Sequence, residues 1–75
     1  MGRIQTSDSK RINVALPPDM VQKLNDLAKH RGTTGSHVVR QAIATEDYLR
    51  NEIKQGGRVL IEKPDGSLRE IVFKD

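Results

Sequence analysis

Between Lys10 and Pro17 the chain alternates Ile12, Val14 and Leu16 with Arg11, Asn13 and Ala15. That is the period-two pattern of a strand with one face in a core and the other in the open. Pro17 ends the strand, because it carries no N–H and biases Leu16 toward extended backbone. A lone strand leaves its edge amides and carbonyls unpaired. Whatever this chain folds into must supply that strand with a neighbour.

The rest of the chain has few means of doing so. Seventy-five residues make one small domain at most, and the chain has no cysteine and only one Tyr and one Phe. A core of that size often needs a staple, and neither a disulfide nor a thiolate metal site is on offer. Oligomerisation is the remaining way to thicken it. No apolar run approaches the roughly 20 residues of a membrane span, and the start of the chain lacks the apolar block of a signal peptide. A cysteine-free chain of this kind is expected in the cytoplasm. The net charge of +3 is too modest to imply nucleic acid by itself. Its placement is more telling, since Arg3, Lys10 and Arg11 gather on and just before the strand.

Residues 1–9 are polar and without apolar period, and read as a flexible arm. Pro18 suits the first turn of a helix, and Asp19 complements its dipole. Met20, Val21, Leu24, Leu27 and Ala28 then form one apolar stripe, and Gly32 is a natural left-handed stop. Thr34 caps a second helix, expected from about Gly35 to Gln55, with Val38, Val39, Ala42, Ile43, Leu49 and Ile53 as its apolar positions. Thr45-Glu46-Asp47 is a place where that helix could break, and Gly56-Gly57 stops it. Residues 58–63 and 68–73 flank Pro64-Asp65-Gly66-Ser67, a hairpin signal whose loop length, two residues or three with a bulge, stays open. The expected order is β-α-α-β-β. It divides into an arm at 1–9, a strand-helix-helix unit at 10–55 and a hairpin at 56–75.

Strand, Pro corner, four-turn helix, Gly, capped turn and second helix together resemble the ribbon-helix-helix superfamily of bacterial and phage regulators that includes Arc, MetJ and CopG. The residues that carry the likeness are Arg11 to Pro17 and the block Gly32-Thr33-Thr34-Gly35-Ser36-His37-Val38-Val39-Arg40-Gln41-Ala42-Ile43. His37 stands where the family often has Glu. The resemblance implies an intertwined homodimer, mostly α with short β, in which the strand pairs antiparallel with its copy. It also implies a DNA-binding regulator, expected to act as a repressor, whose ribbon enters the major groove of double-stranded DNA. Carried over by position, Arg11, Asn13 and Ala15 face bases, with Arg11 suited to guanine and Asn13 to adenine. Ala15 departs from the polar residue common there and offers only a methyl contact. Thr34, Gly35 and Ser36, at the start of the second helix, would hold a backbone phosphate, with Lys10 and Arg3 as further phosphate contacts.

Other chemistries find little footing. His30 and His37 fall on different elements with no Cys or carboxylate cluster, so no metal or cofactor is expected. Glu46 and Asp47 splay around a helix rather than form a catalytic pair. The serines lack a Gly-x-Ser-x-Gly setting, and Gly56-Gly57 lacks the Lys-Ser or Lys-Thr sequel of a phosphate loop. Two rivals stand beside the leading reading. One is the antitoxin of a toxin–antitoxin pair, whose segment after the second helix binds a toxin protein. The other is a monomeric winged-helix-like domain with residues 10–16 as a third strand of the hairpin sheet. For the hairpin itself the expected role is cover for the helices, with a wider dimer interface, a contact between neighbouring dimers on DNA or the binding of another protein as alternatives.

Overall fold

The computed structural model describes residues 10–74. Two helices are followed by two strands: α1 (Pro18–Arg31), α2 (Gly35–Lys54), β1 (Val59–Glu62) and β2 (Leu68–Ile71). The reading of residues 1–9 as an arm, and Arg3 with it, lies outside the described residues.

Each helix boundary is made by the residue chemistry expected there. Pro17 sits at φ −61° and ψ 156°, and its carbonyl accepts from the Met20 and Val21 amides at 2.9 and 3.0 Å. Pro18 takes the first position, where a missing N–H costs nothing. Gly32 closes α1 at φ 65°, with its own N–H on the Lys29 carbonyl and that of Thr33 on the Ala28 carbonyl. This paired arrangement satisfies carbonyls that the helix end would otherwise leave bare. The same pairing ends α2, from Gly56 to Ile53 and from Gly57 to Glu52. A Cβ on Gly57 would lie 2.8 Å from the Glu52 carbonyl oxygen, so the close approach admits only glycine. No break occurs at Thr45. Glu46 and Asp47 instead bind Arg50 and Asn51 one turn on, at 2.8 and 3.5 Å, and α2 runs through unbroken.

The hairpin settles its own register. Val59 pairs with Ile71, Leu60 with Glu70, Ile61 with Arg69 and Glu62 with Leu68. The Gly66 amide donates to the Lys63 carbonyl at 2.8 Å, the Lys63 amide donates to the Ser67 carbonyl at 2.8 Å, and Gly66 has φ 88°. Pro64-Asp65-Gly66 is thus a three-residue loop with a glycine bulge. Asp65 accepts from the Ser67 hydroxyl at 2.7 Å and from its amide at 2.9 Å. Those donors hold its carboxyl below the usual carboxylate range, the hydroxyl contributing most. Across the strands Arg58 grips Glu70 at 2.8 and 3.2 Å, which lowers the carboxyl and raises the guanidinium.

Little of this is buried. α1 and α2 pack together around Ala28 and Val38, which are 8% and 5% exposed, and no described side chain is wholly enclosed. The tie between the helices is short and polar at one point, where Arg31 donates to Gln41. Ile12, Val14 and Ile43 are 82%, 69% and 65% exposed, and Leu16, Met20, Val21, Leu27 and Val39 also face outward. The hairpin does not cover them, contrary to expectation. It leans on the C-terminal half of α2 through Phe73, whose ring lies 5.0 Å from the Arg50 guanidinium, and leaves Leu60, Ile61, Leu68 and Val72 exposed. A four-residue strand pair has too narrow a face to shield two helices. Nor do residues 10–16 join it: the expected first strand is not formed within one chain, where this segment has no neighbour to pair with and no regular structure, and the sheet contains β1 and β2 alone. That removes the winged-helix arrangement.

Two outcomes test this account. Gly32→Ala puts a side chain in left-handed backbone and should cost about 1–2 kcal/mol, read as a lower melting temperature at fixed concentration. Ser67→Ala should raise the Asp65 carboxyl pKa toward its ordinary value in an NMR titration. Because the folded value is depressed, the stability tied to Asp65 is present above the ordinary carboxylate range and lost as pH falls through the folded value.

Candidate nucleic-acid interface

Two groups of side chains stand out as polar, exposed and anchored at one end by helix geometry. The first is the segment that leads into α1. Lys10, Arg11, Asn13 and Ala15 all lie open to solvent, and so do Ile12, Val14 and Leu16 between them. Polar exposure on an isolated segment needs no explanation, but three aliphatic residues in alternation with it do. The Pro17-Pro18 corner fixes where this segment leaves the helix pair, so its residues are carried on a stiff joint.

The second group is the first turn of α2. Thr34 is the N-cap, at φ −97° and ψ 160°, and its hydroxyl accepts from the His37 amide at 3.1 Å. The Val38 amide takes the Thr34 carbonyl at 3.1 Å. The amides of Gly35 and Ser36 are the two left over, as the first positions of any α-helix are. They point along the axis, where the helix dipole favours an anion, and the exposed Ser36 hydroxyl stands beside them. Gly35 also lets α2 start close to α1: a Cβ there would meet Leu24 Cδ2 at 3.6 Å, ordinary contact distance.

The structure therefore brings Thr34, Gly35 and Ser36 together in one turn, and puts Lys10, Arg11, Asn13 and Ala15 on one segment at the other end of α1. Among the described residues no three His, Cys, Asp or Glu side chains group as a metal site would. No described helix is long and apolar enough to cross a membrane. One set of residues escaped the sequence reading: the face of the hairpin that bears Arg58, Leu60, Glu62, Leu68, Glu70 and Val72. Strand parity would have revealed it had the loop length been known.

An exposed alternating segment, a Pro corner and two helices joined by a capped Gly turn are the parts of a small DNA-binding regulator built on a helix pair. Residues 10–55 match the ribbon-helix-helix proteins of the copG family. The chain belongs to that family, whose members are DNA-binding transcription regulators that bind DNA as dimers. No curated protein matches the chain, and no solved structure does either.

Thr34 is the residue on which the geometry of the α2 turn hangs. Thr34→Ala should lower stability by about 1 kcal/mol in chemical denaturation, whereas Thr34→Asp, which keeps a capping oxygen, should hold it near the original value. The Asp variant should nonetheless bind duplex DNA more weakly in a mobility-shift assay, because its charge opposes a phosphate at the same helix end.

Proposed function

We propose that the chain is a homodimeric repressor that occupies a two-fold symmetric operator and reads it with a ribbon formed by residues 10–16 of both copies. The single observation behind this reading is the exposure of Ile12, Val14 and Leu16 in a segment that alternates them with Arg11, Asn13 and Ala15. Antiparallel pairing of two such segments would pair their open backbone groups and turn all three aliphatic residues of each onto the helices. The other side chains then face outward together, in the register in which a β-ribbon enters the major groove.

On this reading Arg11 offers a planar pair of donors to guanine O6 and N7, and Asn13 matches adenine N6 and N7. Ala15 adds only a methyl, so discrimination rests on two positions per copy. Lys10 and Arg3 add phosphate contacts, and the Gly35 and Ser36 amides with the Thr34 and Ser36 hydroxyls clamp a backbone phosphate. These fix the register of the ribbon on the duplex and carry no sequence information. The antitoxin alternative needs a segment after α2 that a toxin would order. Residues 59–71 instead form a hairpin within the chain itself, which favours the repressor.

The test begins with selection of bound sequences from random duplex DNA at fixed salt. Asn13→Ala should weaken binding to the selected site by about 1–3 kcal/mol per half-site and relax its preference at one base pair, while the dimer stays folded. Affinity for the original protein should also fall linearly in log K against log salt. Unchanged binding by the Asn13 variant would remove Asn13 from the reading face.

A further inference from the structure

Between Asp26 and Glu46 the chain has no carboxylate, its longest stretch without one, and in it stand Lys29, His30, Arg31, His37 and Arg40. The fold bends this stretch into the end of α1, the turn at 32–34 and the first half of α2. Three of the five cationic or titratable side chains gather on α2. Arg31 reaches across from α1 and donates to Gln41, one turn beyond half-buried His37 on the same helix face. Arg40 follows Ser36 by one turn, and both are exposed. Among the described residues no carboxylate pairs with Arg31, His37 or Arg40. The charged groups on the two helices packed here are therefore all basic.

Two features keep this patch free for an outside anion. Asp19 complements the dipole of α1, whereas the first turn of α2 has no acidic residue. The chain thus forgoes a stabilising charge at that helix end. The patch also stands aside from the bare apolar side chains of α2. At 3.6 residues per turn, Arg40 and His37 lie about 80° and 140° round the helix from the middle of the Val39–Ile43 stripe. A second copy that covers the stripe leaves them open.

We propose that Arg31, His37 and Arg40 form a further contact with the DNA backbone beside the Thr34 turn, and that His37 makes its strength depend on pH. The proposal rests on the placing of a backbone phosphate at that turn, and it does not need the ribbon to read bases. Duplex phosphates are the fitting occupant, because a cationic patch without carboxylates gains by displacing their counterions. Histidine is the side chain that changes charge between pH 8 and 5. A phosphate beside the imidazole favours its charged form, so binding takes up a proton and tightens as pH falls. His30 provides the comparison, since it shares a shallow hollow with Lys23, Asp26 and Leu27 and so has a carboxylate on its own side of α1.

The test titrates the full chain onto a short labelled duplex of arbitrary sequence and reads affinity by fluorescence anisotropy over a range of salt. From about pH 7.5 to pH 5.5 affinity should rise about fivefold, the scale of two exposed ion pairs per dimer. The slope of log K against log salt should steepen by about 1.8 over the same change. His37→Gln should lose both effects, and His30→Gln should keep them. Arg40→Gln should flatten the salt slope by about 1.8 at both pH values; Arg40 is exposed, so this variant decides the matter if His37→Gln melts early. An original protein without the pH response, or a folded His37→Gln that retains it, would overturn the proposal and leave the Asn13 result untouched. So would an unchanged salt slope in Arg40→Gln. If the response holds while Asn13→Ala binds its selected site as before, the patch stands and the ribbon reading falls. Absence of binding to any duplex would remove both.

Discussion

This chain has more apolar side chain than it can enclose. Among the described residues two, Ala28 and Val38, are buried, while eight large aliphatic side chains between Ile12 and Ile43 are substantially exposed. Removing those eight from water is worth on the order of 10 kcal/mol per chain at the usual gain per side chain. That is the whole stability of an ordinary small domain. The interior missing from one chain is thus as large as the one a folded protein normally needs, and a second copy is the means the family uses to complete it. On the proposed dimeric reading, folding and association become one event, and the stability of the fold depends on protein concentration.

On the proposed reading, the same constraint explains how a segment as short as residues 10–16, paired as a strand with its copy, can carry two tasks. In a strand, alternate side chains face opposite sides. One set, Ile12, Val14 and Leu16, has the composition of a core. The other, Arg11, Asn13 and Ala15, has on the proposed reading the donors and acceptors that distinguish base pairs. Because the two sets interleave, a shift of register by one residue would exchange them, so burial of the aliphatic set also fixes which side chains face outward. Pro17 and Pro18 reinforce this from the helix side by fixing where the segment joins α1.

Most of the fold was legible because its boundaries are made by local chemistry. The start of α1 at Pro18, its stop at Gly32, the Thr34 cap and the Gly56-Gly57 end all rest on residues within five positions of one another. What local chemistry does not encode was missed. The hairpin was expected over the helices, but whether Leu60 or Ile61 faces α2 depends on a loop bulge, and the contact of Phe73 with Arg50 joins residues far apart in the chain. At the candidate site, the Thr34 turn was readable as a cap, which takes the His37 amide and leaves those of Gly35 and Ser36 open. Sequence therefore located that turn, while its use toward an anion belongs to the proposed reading. Arg11 and Asn13 were readable by position, but their openness to solvent is a fact of the structure.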